Sequence, residues 1–188
     1  ALDEAYSIDH LPSQVSVLLS LAELNILEED YAEASNNIFF AWDLAESEDI
    51  ESQTFNLYST AGKYYSKVSN YSKAIDYYDE AIRHTLNGAQ RAIIYNNMGN
   101  IYRRTGDYDM ALRYLNKAFR INRRKRIYDQ MANNTYNIGE VFYEQEDYDE
   151  ALEYFSEALE FDKTSENSVG IMGDLKKMGM AEYNLGNT

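Results

Sequence analysis

The sequence has no cysteine, a single proline and two histidines among its 188 residues. The absence of cysteine excludes a disulfide framework and any metal site built on thiolates. No stretch of about eighteen apolar residues occurs, so the sequence predicts no transmembrane helix. The first residues lack the basic start and the apolar centre of a signal peptide. We therefore expect a cytoplasmic protein, with a periplasmic or extracytoplasmic sensor segment as the alternative.

Motifs of catalysis and cofactor binding are missing as well. The sequence contains no nucleophile elbow, no phosphate-binding loop and no HExxH zinc motif. Acidic strings such as EQEDYDE at 144–150 lack the alternating oxygen ligands and the central glycine of a calcium loop. We therefore predict no catalytic residue, no metal site, no cofactor and no enzymatic activity.

Positive charge is scarce and unevenly placed. The formal net charge is −15, and residues 1–62 carry thirteen acidic residues but no lysine or arginine. A chain this acidic is a poor general partner for the phosphates of nucleic acids. The exception, called the basic island below, consists of Arg120, Arg123, Arg124, Lys125 and Arg126. Three interpretations stand: cations that complement a helix C-terminus, a patch for an acidic partner such as the chain's own N-terminal repeats, or a nucleic-acid patch.

What the sequence does contain is an internal repeat. A small residue recurs at intervals of 40, 37, 40 and 40 residues, at Ala22, Gly62, Gly99, Gly139 and Gly179. A second motif has matching intervals: a tyrosine followed three residues later by alanine, at Tyr31, Tyr71, Tyr108 and Tyr148. Self-similarity at a fixed period of about 20–50 residues is typical of repeat architectures.

Each repeat has the periodicity of two helices. One stripe of an α-helix is formed by Tyr108, Ala111, Leu115, Ala118 and Ile121. Alanine in such a stripe lets neighbouring helices approach, and the bulky residues fill the space between them. Turn residues such as TGD at 105–107 separate the helices, and the step Asn87–Gly88 is typical of a helix C-terminus. The pattern predicts an all-α chain.

These slots resemble the tetratricopeptide repeat. The resemblance is carried by YNNMGNIYRRTGDYDMALRYLNKAF (95–119), NIGEVFYEQEDYDEALEYFSEALEFD (137–162), YSTAGKYYSKVSNYSKAIDYYDEAI (58–82) and LLSLAELNILEEDYAEASNNIFFAW (18–42). The period near 40 and the missing closing proline are similar to the variant of kinesin light chains, Pins-like polarity adaptors and bacterial signalling proteins. The resemblance implies an all-α fold, a right-handed α-solenoid of antiparallel helix pairs.

The repeat spacing predicts a single array over residues 1–188, a window of a longer solenoid. The expected units are the end of a preceding second helix (1–9), repeat 1 (12–46), repeat 2 (50–86), repeat 3 (89–124), repeat 4 (127–163) and the first helix of repeat 5 (168–188). Residues 1–9 are assigned in this way because Leu2, Ala5 and Ile8 fit the bulky, small and bulky slots of a second helix.

The resemblance also implies that the first helices line a concave groove that holds a peptide. The side chains expected there are Asn56, Thr60, Lys63, Lys67, Ile93, Asn97, Asn100, Arg103, Arg104, Asn133, Asn137, Glu140 and Lys177. In the first repeat the same stripe gives Ser16, Ser20, Glu23 and Leu27, and Tyr136, Tyr143 and Tyr183 are expected near the border. Asparagine suits this surface, because its amide matches the donors and acceptors of a peptide backbone. Asn97 and Asn137 resemble the stacked asparagines of the 40-residue variant.

The sequence therefore predicts a protein–protein interaction scaffold within a larger signalling or assembly protein. Lys63, Lys67 and Arg104, with Arg103 beside them, make the middle of the expected groove basic, which favours a peptide or protein partner with acidic residues. One alternative is a self-associating structural array, with the basic island against the acidic N-terminal repeats. Another is a sensor segment of a bacterial kinase or transcription regulator. In the plainest alternative, the expected groove positions are polar only because they face solvent.

Overall fold

The structure, a computed structural model, describes residues 11–48, 50–85 and 87–186. Within these ranges it contains nine α-helices, a short 3-10 helix at Glu51–Gln53 and no strand. The α-helices are α1 (Leu11–Leu27), α2 (Tyr31–Ser47), α3 (Thr54–Lys67), α4 (Tyr71–Arg83), α5 (Gly88–Arg104), α6 (Tyr108–Lys125), α7 (Tyr128–Glu144), α8 (Tyr148–Thr164) and α9 (Ser168–Asn184). The segment 1–9, assigned to a preceding second helix, lies outside the described residues. The prediction of an all-α fold is confirmed.

The helices form antiparallel pairs, an arrangement that short connections favour. Three residues connect the helices within each of the pairs α1–α2, α3–α4, α5–α6 and α7–α8. Contacts divide the chain into two compact units, Ala1–Leu86 and Asn87–Thr188, called unit N and unit C below. Unit N contains α1 to α4, and unit C contains α5 to α9.

A recurring acidic or amide residue begins each second helix. The N-caps of α2, α4, α6 and α8 are Asp30, Asn70, Asp107 and Asp147, and each side chain accepts a hydrogen bond from a backbone N–H three residues on. The residues before these caps are left-handed, with φ of 62°, 60°, 80° and 64° at Glu29, Ser69, Gly106 and Glu146. Gly106 adopts this conformation without the steric cost of a Cβ.

Asn87 begins a helix and does not end one. Its backbone is extended, at φ −144° and ψ 161°, and its Oδ1 accepts a hydrogen bond of 3.0 Å from the N–H of Gln90. The prediction of a helix C-terminus at Asn87–Gly88 is therefore wrong. Asparagine is favoured at both ends of a helix, and the choice depends on the backbone conformation, which the dipeptide alone does not fix.

The repeated glycine marks the point where the two helices of a pair come closest. The contacts are Gly62 with Tyr78, Gly99 with Leu115, and Gly139 with Phe155. A Cβ added to these glycines would lie 2.6 Å, 2.6 Å and 2.8 Å from the facing side chain. All three facing side chains are buried. At these three positions only a glycine leaves room for the packing, which explains the small residue there.

Candidate functional site

The expected groove residues of unit C lie on α5, α7 and α9 and are called the first-helix face below. The exposed members are Ile93, Arg104 and Asn133. The partly buried members are Asn97, Asn100, Arg103, Asn137, Glu140 and Lys177. Hydrogen bonds and ion pairs between neighbouring helices hold several of them in place.

A chain of amides joins α5, α6 and α7. Nδ2 of Asn122 donates to Oδ1 of Asn134 over 2.8 Å, and Nδ2 of Asn134 donates to Oδ1 of Asn96 over 2.8 Å. Asn137 donates to the same oxygen of Asn96 over 3.1 Å. Asn122 and Asn134 are buried, so the two bonds that Asn134 makes satisfy groups that water cannot reach. Asn137 therefore serves the packing of the helices.

The hydrogen-bond partner of Asn137 is Asn96, one residue before the Asn97 with which it was expected to stack. Neighbouring residues of an α-helix point about 100° apart, so Asn97 faces a different direction from Asn96. The sequence has asparagine at both positions, which is why the spacing alone did not distinguish them. Within the described residues, the side-chain amides of Asn97 and Asn100 have no hydrogen-bond partner.

The sign of charge alternates from α5 to α7 to α9 in a group of four side chains: Arg103 on α5, Glu140 and Glu144 on α7, and Lys177 on α9. Nη1 of Arg103 lies 3.7 Å from Oε2 of Glu140 and also pairs with Glu144. On the other side of Glu140, its Oε1 lies 2.6 Å from Nζ of Lys177. Only 17%, 13% and 21% of the side chains of Arg103, Glu140 and Lys177 is exposed. The ammonium of Lys177 also lies 5.2 Å from the ring centre of Tyr143.

Two of the cations expected to make the groove basic, Lys63 and Arg103, form ion pairs within the chain. In unit N, Nζ of Lys63 lies 3.0 Å from Oε1 of Glu23, and in unit C Arg103 is paired with two glutamates. Both cations are therefore largely neutralised by the chain itself. Lys67 and Arg104 are exposed, and within the described residues neither forms an ion pair.

Replacing Glu140 by glutamine is expected to destabilise unit C, because Arg103 and Lys177 would both lose their shared counter-charge in a partly buried place. Removing one partner of a fully buried pair costs about 3–5 kcal/mol, and the remaining exposure reduces this to about 1–3 kcal/mol. The measurement is urea denaturation followed by circular dichroism. Glu160→Gln is the matched control, since Glu160 and its partner Lys163 are 69% and 52% exposed. That variant should change stability by less than about 0.5 kcal/mol. Equal losses in the two variants would contradict the role given to Glu140.

The expected groove residues of unit N also share one side. Ser16, Ser20, Glu23, Asn56 and Thr60 line a single open pocket of about 210 Å³ between α1 and α3. Thr60 is buried, whereas Asn56 is exposed and donates to Oε1 of Gln53 over 2.7 Å. The side chains of this stripe thus form a polar pocket within unit N.

The basic island lies on a second helix and is separate from the first-helix face. Arg120, Arg123, Arg124 and Lys125 belong to the last turns of α6, and Arg126 is the C-cap, with a left-handed φ of 55°. All five are exposed, and none forms an ion pair within the described part of the chain. Arg123 partly offsets the rise in the pKa of Glu157 that burial causes. The cations at this helix end have a favourable interaction with the helix dipole.

Two further cavities lie beside aromatic side chains. In unit C a cavity of about 380 Å³ is lined by Tyr143, Lys176, Gly179, Met180, Tyr183 and Asn184. The tyrosines at 143 and 183 were expected at such a border, whereas Tyr136 packs against the ring of Phe155 in the core. In unit N a cavity of about 350 Å³ is lined by Ser35, Ile38, Phe39, Trp42, Ala61, Tyr64, Tyr65 and Tyr77. Sequence reasoning missed this second cavity, and its available signal was the exposed pair Phe39–Phe40.

No helix in residues 11–48, 50–85 and 87–186 combines the length and apolar character needed to cross a bilayer. Over the same ranges, no three histidine, aspartate or glutamate side chains are placed to hold a metal ion.

Helix pairs that repeat every 37 to 40 residues and pack Gly62, Gly99 and Gly139 against the following helix define a helical repeat protein. Residues 90–164 match the tetratricopeptide repeat family. This segment is therefore composed of tetratricopeptide repeats, as predicted. No curated protein sequence matches the chain.

The fold is similar to that of several known structures over nearly the whole chain. One is BtubC from P. vanneervenii, with a TM-score of 0.80 and 19% identity over 98% of this chain and 78% of the other. Another is a signal transduction ATPase with numerous domains and a tetratricopeptide repeat sensor, from Pyrococcus horikoshii, with a TM-score of 0.80 and 17% identity. It is matched over 97% of this chain but 29% of its own length. A third is RapI, with a TM-score of 0.76 and 16% identity over 92% of this chain and 64% of RapI. The likeness confirms an all-α helical repeat solenoid.

Proposed function

We propose that the chain is a non-catalytic interaction module that binds a peptide segment of another protein on the first-helix face of unit C. Binding of proteins or peptides is the general role of tetratricopeptide repeats, and the choice of this face is our inference. The supporting observation is the pair Asn97 and Asn100 on α5, whose partly buried amides lack hydrogen-bond partners within the described residues. A peptide backbone offers one donor and one acceptor per residue and can satisfy both amides.

The rigidity of the surrounding helices supports the same proposal. The hydrogen bonds of Asn96, Asn134 and Asn137 and the ion pairs of Glu140 fix the spacing of α5, α7 and α9. A face whose scaffold is fixed loses little conformational entropy on binding, which favours affinity. Tyr143, Met180 and Tyr183, which line the neighbouring cavity, provide a place for an apolar side chain of the peptide.

The test is selection of peptides from a displayed library on the folded chain, followed by fluorescence anisotropy with the selected peptides. Asn97→Ala/Asn100→Ala should raise Kd by about 5- to 150-fold, because two hydrogen bonds of about 0.5–1.5 kcal/mol each are lost. Asn116→Ala is the matched control, since Asn116 lies on α6 and donates to the carbonyl of Leu112. An unchanged Kd in the folded double variant would contradict the proposal, as would an equal rise in the control.

In unit C, the expectation that the partner is acidic rests on Arg104. Its exposed guanidinium forms no ion pair within the described residues, so it can meet a carboxylate of the peptide. Selected peptides should therefore be enriched in acidic residues, and Arg104→Ala should weaken binding a few-fold and reduce its dependence on salt. Peptides without acidic enrichment would contradict this part of the proposal alone.

We further propose that the module works within a larger signalling protein. The similarity to a repeat segment described as a sensor in the signal transduction ATPase from Pyrococcus horikoshii supports this. In such a protein, a peptide bound on the first-helix face would report the presence of the partner. The sensor role thus uses the same face as the scaffold role.

A further inference from the structure

Unit N has an open cavity at a place where unit C has a filled core. The aromatic cavity, as the cavity of about 350 Å³ beside Trp42 is called below, lies between α2, α3 and α4. Two small side chains of its wall, Ser35 and Ala61, correspond by the repeat spacing to Leu112 and Ile138 in unit C. Ile138 belongs to a buried hydrophobic cluster, and Leu112 packs against that cluster. The cavity is therefore open because unit N has small side chains at two positions where unit C has large ones.

Aromatic rings make up most of the remaining wall. They belong to Phe39, Trp42, Tyr64, Tyr65 and Tyr77. Phe39 is 65% exposed, although the same slot of the other three second helices holds a polar residue: Asp79, Asn116 or Ser156. An exposed aromatic surface beside an open cavity indicates a site of interaction with another molecule.

One ring of this cavity already holds a cation of the chain itself. Nζ of Lys73 lies 5.0 Å from the centre of the Tyr65 ring. The faces of aromatic rings carry partial negative charge, so ammonium and guanidinium groups are attracted to them. Arginine suits the cavity best, because its planar guanidinium stacks on rings and is weakly hydrated. Its N–H groups can also donate to the hydroxyl groups of Ser35 and the tyrosines.

Carboxylates without ion pairs adjoin the aromatic cavity. A cavity of about 150 Å³ shares Trp42 with it, and another of about 300 Å³ shares Tyr77. Four exposed carboxylates line these two cavities and form no ion pair within residues 11–48, 50–85 and 87–186: Glu46, Glu51, Asp76 and Asp79. They outweigh the single charge of Lys73. A ligand with several positive charges therefore complements this surface.

We propose that the aromatic cavity binds a basic segment of another protein, with one arginine side chain inside the cavity and neighbouring cations beside the four carboxylates. The volume of about 350 Å³ is at the lower end of the range for ligand pockets, as expected for a single side chain. A second copy of this chain is a poorer occupant, although its basic island has the right sign. Two copies that each carry a net charge of −15 repel each other. The proposal does not depend on peptide binding to the first-helix face of unit C.

The test uses the fluorescence of Trp42, which is the only tryptophan in the sequence and lines the cavity. The probe is the peptide acetyl-GKGRGKG-amide, added up to about 5 mM at an ionic strength of about 0.15 M, where long-range attraction is screened. The control peptide has citrulline in place of arginine, which keeps the shape and the flanking lysines but removes the central charge. The arginine peptide should bind about 5- to 30-fold more tightly, because the control lacks the cation–π contact.

Replacements on α2 test where the peptide binds. Ser35→Leu should abolish the change in fluorescence, because leucine would fill the cavity as Leu112 fills the equivalent place in unit C. Ser35 is exposed, so this replacement leaves the packing of α2 intact, which circular dichroism can check. Phe39→Ala should raise Kd about 2- to 5-fold through the loss of one exposed ring. Phe40→Ala is the matched control and should leave Kd unchanged, since Phe40 is 56% exposed but does not line the cavity.

Several results would overturn the proposal. Equal binding of the arginine and citrulline peptides would do so, as would binding that survives Ser35→Leu. A wild-type emission that stays constant up to the highest peptide concentration would do so as well. Emission that changes with protein concentration alone, and no longer does so in Arg123→Glu/Arg124→Glu, would overturn the choice of occupant and assign the cavity to the basic island of a second copy.

Discussion

Replacing Gly99 by alanine should destabilise unit C by about 1–3 kcal/mol, although alanine is the better helix former by up to about 1 kcal/mol. The added Cβ would lie 2.6 Å from Cγ and 2.8 Å from Cδ2 of Leu115, and 3.3 Å from the carbonyl oxygen of Ala111. Leu115 is fully buried, so it cannot turn away without displacing its neighbours. Overpacking therefore outweighs the gain in helix propensity. The measurement is the free energy of unfolding from urea denaturation.

Gly179→Ala is the matched control, because it makes the same change in the same slot of α9. The added Cβ would contact nothing within 4 Å, so only the helix propensity changes. This variant should be more stable than the wild type by about 0.5–1 kcal/mol. Gly99→Ala should thus lower the free energy of unfolding, and Gly179→Ala should raise it. If Gly99→Ala also stabilised the chain, the close approach of α5 and α6 would not be what keeps a glycine at position 99.

Unit C should lose stability as the pH rises from about 4 to about 7, because two buried aspartates on α8 and α9 share a site. Asp162 and Asp174 are 4% and 1% exposed, and burial together with the charge of Asp162 raises the pKa of Asp174 to about 7. The folded state therefore binds a proton that the unfolded chain, with an ordinary pKa of 3.8, releases. Stability falls where the folded state holds more protons, so the decrease is complete above the folded pKa. The expected decrease is up to about 3–4 kcal/mol.

Asp174→Asn should remove this pH dependence and leave the variant more stable than the wild type at pH 8. The neighbouring phenol of Tyr136 does not replace it: burial, Glu140 and Asp174 itself raise the pKa of Tyr136, so this group stays neutral over the range. Thermal or urea unfolding at pH 4 to 8 gives the measurement, with the exposed Glu182→Gln on α9 as the control. Parallel curves for Asp174→Asn and the wild type would contradict the raised pKa of Asp174 in the folded chain.

The fold could be predicted because helix geometry fixes which sequence positions share a side. Gly99, Leu115 and their equivalents recur at constant spacing, and the structure packs them against each other. The first-helix stripe followed from the same periodicity, and Ser16, Ser20 and Asn56 line one pocket as a result. Periodicity cannot decide which of two adjacent residues makes a contact. Asn137 donates to Asn96, although the repeat spacing of 40 pointed to Asn97.

The charges of the site were harder to predict, although part of the signal was present in the sequence. Lys63 and Glu23 are 40 residues apart, so they occupy the same slot in successive repeats and could have been paired on that ground. The buried pair Asp162 and Asp174 had no such signal. Its burial depends on Gly170, where an added Cβ would lie 1.9 Å from Oδ2 of Asp162. That closeness follows from the packing of α9 on α8, which sequence spacing does not reveal.

The alternating charges of Arg103, Glu140 and Lys177 limit how this array can be rebuilt. Arg103 pairs with Glu140 on the next first helix, and Glu140 pairs with Lys177 on the first helix after that. An exact tandem duplication of residues 128–167 would place a second Glu140 next to the first, in a site where only 13% of that side chain meets water. Like charges in such a place repel, so the copied repeat would fit poorly until one glutamate changed. Neighbouring repeats must therefore carry opposite charges at this position. Engineered arrays of this chain should be lengthened by two repeats at a time, one with each sign of charge.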